Sequence, residues 1–310
     1  MTTASVSHEP RGRDSGRRLL RLSALLLLVT TGIQGVPARA ADEDAGPART
    51  ALKVCADPYM LPFSNKDEKG YENRIAELFG KKLGLPVKYE WFPQRMGFIR
   101  NTLRAQGTDG GYKCDIVMNV PENFELAATT EPYYTSTYAL VYARGRNLDS
   151  VTSPDMLVDA VAKNPDIKIG LPDRGPAQLW VFRHDLMGNM IPYQGQPGDP
   201  RVNPGELMME DIAAGKIDAA IIWGPTAGYY AKQLHDQADL VLLPMHDDPK
   251  HPDAKFEFSF AMAVRYGDDA WRAQVQKLIN DNQSEINNIL KEYGVPLLPV
   301  KRAPRHDDDD

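Results

Sequence analysis

The chain has few of the features that catalysis and metal binding require. It contains only two cysteines in 310 residues, and without nearby histidines they make neither a zinc site nor a cysteine–histidine nucleophile. It has no Gly-x-Ser-x-Gly, His-Glu-x-x-His, Gly-x-Gly-x-x-Gly or P-loop pattern. Basic residues are also in deficit, since 36 lysines and arginines face 42 acidic residues. We therefore expect no enzyme, no cofactor and no resident metal.

The only long apolar run lies at the amino end, in the pattern of a secretory signal. Five arginines precede apolar residues 22–29, and Ala38-Arg39-Ala40 offers small residues to a signal peptidase. The run is too short to span a bilayer, and its flanks favour general secretion over the twin-arginine route. We predict a signal peptide over residues 1–40 and no later membrane anchor.

Removal of that segment makes an acidic protein more acidic. Residues 1–40 hold six arginines against Glu9 and Asp14, a net charge of +4, so cleavage takes the formal charge from −6 to −10. This balance argues against nucleic acid or an anionic membrane as a partner and permits a basic protein surface.

The rest of the chain alternates apolar strands with amphipathic helices, which predicts an α/β fold. Strands are expected at residues 52–55, 87–92, 114–120, 137–143, 167–171, 219–223, 240–243 and 257–265. Helices are expected at residues 72–83, 98–105, 151–162, 176–187, 206–214, 225–234 and 269–293.

Two long strands divide this pattern into two α/β lobes. Strands 137–143 and 257–265 are placed to run from one lobe to the other and back, which makes a hinge with a cleft beside it. We predict a first lobe of residues 41–143 plus 257–300, an inserted second lobe of residues 144–256, and a flexible acidic tail at 301–310.

The loop after the first strand carries an unusual set of side chains. Pro58 ends the strand, and open α/β sheets place their binding crevices at the carboxyl ends of strands. The alternative is a proline-rich connection whose aromatic residues cover the core. The side chains concerned are Tyr59, Phe63, Ser64, Asn65 and Tyr71.

Cys55 and Cys114 begin or end strands that would be neighbours in a sheet of order 2-1-3. A disulfide is geometrically possible there, and an oxidising compartment favours it over two buried free thiols.

The architecture and signal peptide resemble the periplasmic solute-binding proteins that serve ABC importers. The motifs that carry this resemblance are Glu131-Pro-Tyr-Tyr, Gly215-Lys-Ile-Asp-Ala and Ala227-Gly-Tyr-Tyr. The resemblance implies the type II binding-protein fold, with two α/β lobes joined by two hinge strands.

Three departures set the chain apart from amino-acid receptors, which clamp a zwitterion. An arginine that binds the carboxylate is missing after the third strand, where Pro121-Glu122-Asn123 stands. Asp173-Arg174-Gly175-Pro176 replaces the helix start that binds the same carboxylate, and Trp223-Gly224 replaces an aspartate for the ammonium group.

Longer motifs are similar to the MoxJ/XoxJ family, which accompanies pyrroloquinoline-quinone methanol dehydrogenases. They are Cys55-Ala-Asp-Pro-x-x-Leu-Pro-Phe-Ser-Asn, Gly70-Tyr-Glu-Asn-Arg-Ile-Ala, Trp91-Phe-Pro-Gln-Arg-Met-Gly-Phe-Ile-Arg-Asn-Thr-Leu and Cys114-Asp-Ile-Val-Met-Asn-Val-Pro. The chain departs from this family at residues 106–112, a loop that is longer than expected.

The resemblance implies a periplasmic accessory protein that assists maturation or activation of a calcium-type or lanthanide-type methanol dehydrogenase. The dehydrogenase would contact an open cleft between the lobes, and its cytochrome c is a further candidate partner. The alternative is an ABC-importer receptor for a small ligand that is not an amino acid.

Fifteen residues are candidates for the cleft. Trp223 would anchor a partner peptide or else fill the vacant ligand site, and Arg95 would pair a partner carboxylate or else bond its own loop. The full set is Asp57, Tyr59, Phe63, Ser64, Asn65, Tyr71, Glu72, Gln94, Arg95, Phe98, Asn119, Tyr133, Tyr134, Arg174 and Trp223.

One group resembles metal ligands in composition only. His246, Asp247, Asp248, His251 and Asp253 lie on a charged loop without a regular element to fix them, which favours a solvated loop over a metal site.

Overall fold

Strands and helices alternate along residues 49–300, the part of the chain that the computed structural model describes. The predicted signal peptide and the predicted acidic tail lie outside the described residues. The strands are β1 (Leu52–Ala56), β2 (Tyr59–Met60), β3 (Ser64–Asn65), β4 (Val87–Trp91), β5 (Ile116–Pro121), β6 (Ala128–Thr129), β7 (Tyr134–Ala143), β8 (Ile169–Pro172), β9 (Met190–Tyr193), β10 (Ala219–Trp223), β11 (Leu240–Pro244) and β12 (Glu257–Val264). The α-helices are α1 (Tyr71–Leu83), α2 (Phe98–Asn101), α3 (Met156–Lys163), α4 (Pro176–Arg183), α5 (Pro204–Ala213), α6 (Gly224–Gln233), α7 (Asp269–Asp281) and α8 (Gln283–Glu292).

Ten of these strands form one mixed sheet. Eight of them follow the order β4-β1-β5-β12-β7-β10-β8-β9, while β11 pairs with β7 and β6 pairs with β12. Strands β1, β4 and β5 are parallel, and β7 pairs antiparallel with β12 between Tyr134 and Thr137. The predicted crossing strands therefore lie side by side at the middle of the sheet.

Side-chain alternation places apolar residues on both faces of each half of the sheet. Along β1, Leu52 and Val54 face a core shared with α1, α7 and α8, while Cys55 faces a second core. Along β7, Leu140 and Val141 likewise enter two different cores of the other half. Both faces are buried, which explains the nearly continuous apolar character of these strands.

The predicted disulfide between Cys55 and Cys114 is confirmed. Strand β1 pairs with both β4 and β5, which is the 2-1-3 arrangement, and the two sulfur atoms are bonded. The bond covalently joins β1 to the segment that leads into β5.

Four predicted helices differ from the observed ones by four residues or more. The helix expected at residues 151–162 begins only at Met156, and the helix expected at residues 176–187 already ends at Arg183. The helix expected at residues 98–105 ends at Asn101, because Thr102 leaves the helical region at φ −121° and donates its hydroxyl to the carbonyl of Phe98. The helix expected at residues 269–293 is divided at Asn282, which is buried and donates its side-chain amide to the carbonyl of Leu278. Among residues 49–300, no helix combines the length and apolar character needed to cross a membrane.

Candidate functional site

A cavity of about 220 Å³ opens beside the loop that follows β1. One wall comes from this loop and from residues 94 and 95, and the other comes from residues 195–204, which lead into the first residue of α5. The lining residues that the sequence predicted are Asp57, Tyr59, Phe63, Gln94 and Arg95.

Asp57 is a buried carboxylate at the edge of this cavity. Its Oδ1 accepts from the backbone N–H of Tyr59 at 2.8 Å, and its Oδ2 accepts from the backbone N–H of Gln94 at 2.5 Å. Burial raises the pKa of Asp57, while these backbone donors and the charge of Arg95 oppose the rise. The carboxylate therefore fixes the loop after β1 to the loop that leads into α2.

The two walls are joined by side chains that reach across. Arg95 donates to the carbonyls of Gly198 at 3.4 Å and Asp199 at 3.2 Å. Asn203 donates to the carbonyl of Leu61 at 2.9 Å and also caps the amino end of α5 through its Oδ1. Arg95 thus bonds a distant loop, and the cleft is bridged rather than freely open at this point.

A buried polar cluster lies behind the loop, at the amino end of α1. Tyr71 and Tyr134 share a hydrogen bond of 3.0 Å between their hydroxyl groups, and Tyr134 donates to Asn119 Oδ1 at 3.2 Å. Glu72 is only 4 % exposed, and its Oε1 has no hydrogen-bond partner. Such an unsatisfied carboxyl oxygen is costly in a folded protein.

The protonation of Glu72 follows from this burial. Desolvation, then the charge of Asp57, raises the pKa of Glu72 to about 8, and a hydrogen bond from Asn119 opposes the rise. At neutral pH the carboxyl group is therefore mainly neutral. Glu72 does not line the cavity, so the carboxylate at the cavity wall is that of Asp57.

Aromatic contacts lead from the cavity to Trp223. Phe63 packs on Tyr71 with ring centroids 5.4 Å apart, and Tyr134 stacks on Phe260 at 5.2 Å. Trp223, at the end of β10, is partly exposed and lies 5.5 Å from Phe260. We define the aromatic patch as four partly exposed residues in ring contact on or beside the crossing strands, namely Tyr138, Trp223, Phe258 and Phe260.

Four predicted cleft residues hold the local fold instead of lining the cavity. The hydroxyl of Ser64 bonds the backbone of Asp57, and Asn65 caps the turn at Lys69. Tyr133 is fully buried and donates to the carbonyl of Met118, while Phe98 packs in the core cluster that contains both cysteines.

Arg174 lies at a different cavity, of about 420 Å³, with Asp173 and residues 194–196. Residues 195 and 196 line both cavities, so Arg174 is a neighbour of the first site without being part of its wall.

The charged loop at residues 246–253 makes local contacts. His246 Nδ1 lies 2.9 Å from Glu257 Oε1, and Asp247 accepts from the backbone N–H groups of Phe256 and Glu257. Across residues 49–300, no group of three or more His, Cys, Asp or Glu side chains is arranged to hold a metal ion.

Two parts of the site were missed from the sequence. The wall at residues 195–204 reads only as a Gly- and Pro-rich connection, although Asn203-Pro204 has the pattern of a helix start. Phe258 and Phe260 are two residues apart on a crossing strand, so both rings face the same side of the sheet. This spacing is visible in the sequence and could have indicated an aromatic surface there.

Comparisons with known proteins agree with this architecture. No family model matches the chain. Protein MoxJ of Methylorubrum extorquens is 26 % identical over 92 % of this chain and 98 % of its own length. The crystal structure of the periplasmic binding protein XoxJ from Methylobacterium extorquens matches with a TM-score of 0.61 and 28 % identity, covering 80 % of this chain and 99 % of XoxJ. Over most of its length the chain is therefore similar to the MoxJ and XoxJ proteins.

A second crystal structure shows the same fold at a lower sequence identity. MxaJ from Methylophaga aminisulfidivorans has a TM-score of 0.64 at 23 % identity, and the match covers 80 % of this chain and all of MxaJ. The chain therefore has the type II solute-binding fold, with two α/β halves joined through β7 and β12.

Proposed function

We propose that this protein is a periplasmic accessory factor that binds a quinoprotein methanol dehydrogenase and assists its maturation or activation. Similarity to MoxJ, XoxJ and MxaJ supports an association with methanol oxidation. Because XoxJ is a periplasmic binding protein, the periplasm is the compartment in which contact would occur. The calcium and lanthanide types of dehydrogenase are both candidate partners, as is the associated cytochrome c.

The observation that carries the proposal is the aromatic patch. Four aromatic side chains remain partly exposed on or beside the crossing strands, where a transport receptor would enclose its solute. Aromatic residues are enriched at the energetic centres of protein interfaces. The patch is therefore suited to a polypeptide surface.

The size and chemistry of the neighbouring cavity support the same conclusion. At about 220 Å³ it is smaller than the roughly 300–1,000 Å³ of ordinary small-molecule pockets. Arg95, its one lining arginine, already donates to two carbonyls of the opposite wall. We propose that this cavity receives one side chain of the partner, with the main contact on the aromatic patch.

Trp223→Ala tests the proposed contact. Loss of a central aromatic anchor should weaken binding of the dehydrogenase by tenfold or more, which is about 1.4 kcal/mol or above. The measurement is a binding titration between the mature chain and the purified dehydrogenase, with circular dichroism to check folding. Phe182→Ala is the matched control, since Phe182 is 66 % exposed and belongs to α4. Equal affinity of the Trp223→Ala chain and the unaltered chain would remove Trp223 from the interface.

A transport receptor is the second candidate, and the shared binding-protein fold favours it. A receptor should be stabilised by its solute, since a ligand at 100 times its dissociation constant adds about 2.7 kcal/mol. Thermal unfolding with amino acids, alcohols, quinone cofactor and metal salts separates the two candidates, because a large shift with one small compound supports transport.

A further inference from the structure

A basic notch lies where the carboxyl end of β12 meets the segment that leads into β5, and Tyr112 of the loop that departs from the family pattern lines it. This cavity of about 580 Å³ is lined by four cations and two carboxylates. We define the basic notch by its charged and aromatic lining residues, which are Arg49, Lys53, Arg104, Tyr112, Asp115, Arg265, Tyr266 and Asp268. Its lining has a charge of +2 on a chain whose formal charge is −6.

Arg265 lies at the bottom of the notch and is held in place by its hydrogen bonds. Its guanidinium donates to the carbonyl of Cys114 at 2.5 Å and to Asp115 at 2.8 Å, and it approaches Asp268 at 3.3 Å. The same group lies 4.1 Å from the ring centre of Tyr112. These contacts use most of its donors, so Arg265 holds the notch together and has little capacity for a ligand.

The other three cations keep donors free. Arg49 pairs with Asp268 at 2.7 Å through Nη2 alone, and Arg104 donates to the carbonyl of Leu126 through Nη2 alone. Lys53 donates to the carbonyl of Tyr112 at 3.2 Å and lies 4.0 Å from Asp109. Each of these side chains therefore has at least one N–H that can bind an incoming oxygen.

Two exposed tyrosines frame these cations. Tyr112 is 43 % exposed and Tyr266 is 60 % exposed, and Arg104 lies 6.0 Å from the ring centre of Tyr266. Arginine and tyrosine are the residue types most enriched at interface hot spots, and rings beneath guanidinium groups limit their motion before binding.

We propose that the basic notch is a second docking surface, which binds an acidic segment of a partner protein through Arg49, Lys53 and Arg104. Charge complementarity argues for this occupant, because several carboxylates in one extended segment match several cations spread along the notch. The proposal does not depend on the dehydrogenase or on the aromatic patch.

A labelled ten-residue peptide of alternating glutamate and serine is the probe. Its fluorescence anisotropy is followed as the full mature chain is added at about 0.05 M salt, where surface charges are weakly screened. We expect saturable binding, which Arg104→Glu weakens about tenfold or more and which salt weakens further. A lysine–serine peptide of equal length should not bind.

Arg100→Glu is the matched control, because Arg100 is exposed on nearby α2 and does not line the notch. An equal loss in the Arg100→Glu and Arg104→Glu chains would overturn the proposal, as would the absence of saturable binding. Displacement of the peptide by inorganic phosphate at micromolar concentration would indicate a small-anion site instead.

The same experiments distinguish two other possible ligands of the basic notch. If Arg104→Glu abolishes a dimer seen by analytical ultracentrifugation, the notch binds a second copy of this chain. If the peptide binds only after Asp307–Asp310 are all replaced by asparagine, the notch binds the acidic end of its own chain. Either result would contradict a partner segment.

Discussion

At the scale of single residues, Glu72 shows how one buried carboxyl links the fold to pH. It occupies the first turn of α1, next to Tyr71 and close to Asp57. Its burial disfavours the charged form, and its Oε1 lacks a hydrogen-bond partner. The sequence placed it in the site because it follows a glycine and a tyrosine after the loop. Its burial behind that loop depends on packing between β1, α1 and β7, which no local pattern reports.

Stability should fall as pH rises because of Glu72. Its pKa is about 8 in the folded chain and near 4.5 when exposed, so between these values the folded state holds one more proton than the unfolded state. The free energy of unfolding therefore decreases from about pH 4.5 to about pH 8, and the loss is complete above pH 8.

Glu72→Gln tests this coupling. The variant should match the unaltered chain near pH 4 and exceed it by about 5 kcal/mol near pH 9, measured by urea unfolding at both values. Glu77→Gln is the control, since Glu77 is exposed on the same helix. A pH-independent difference between Glu72→Gln and the unaltered chain would refute the assignment.

At the scale of secondary-structure elements, α6 meets the turn after α8 with almost no space between their backbones. A Cβ added to Gly228 would lie 1.9 Å from the carbonyl oxygen of Gly294, and one added to Gly224 would lie 2.1 Å from the carbonyl oxygen of Thr137. Lys232 donates from α6 to the last carbonyls of α8, at Lys291 and Glu292. The spacing of four residues puts both glycines on one face of α6.

Gly228→Ala should disrupt this helix contact. The methyl group cannot be accommodated without moving the backbone at Gly294, so we expect a loss of at least about 2 kcal/mol in unfolding free energy. Gly188→Ala is the control, because Gly188 is exposed and a Cβ there meets nothing within 4 Å. Equal midpoints in chemical denaturation for the two variants would show that α6 can be displaced easily.

The disulfide makes a second prediction at this scale. Joining residues 59 positions apart limits the unfolded chain, so replacing Cys55 and Cys114 by alanine should cost about 2–5 kcal/mol. Thermal unfolding of the double variant measures this loss. Free-thiol counting on denatured, unreduced protein checks the premise, and two reactive thiols would contradict it.

The elements also show what could be predicted from sequence. Strand β10 was predicted with its observed bounds, Ala219–Trp223. A five-residue apolar run between turn residues is too short for a helix and therefore indicates a strand. The break at Asn282 was not predicted, because the apolar periodicity continues from α7 into α8. The pairing of residues 195–204 with the loop after β1 was also missed, since contacts between distant loops leave no periodic signal.

At the scale of the whole molecule, one sheet joins two halves through β7 and β12, while the predicted lobe boundaries stay a prediction. The resemblance to the MoxJ/XoxJ family was recognised from contiguous motifs, and the comparisons confirm this resemblance. The bridging contacts of Arg95 and Asn203 were not foreseen, because they join loops that lie far apart in the sequence. An acidic body with one basic notch adds a second surface for protein contact.

We propose that this molecule binds a protein, namely a quinoprotein methanol dehydrogenase, in place of a small solute. Isothermal titration of the mature chain into the purified dehydrogenase tests this proposal, with size-exclusion chromatography and light scattering on the mixture. We expect a saturable heat and a complex whose mass equals the sum of its components. The absence of heat and of any complex with both calcium-type and lanthanide-type enzymes would contradict it.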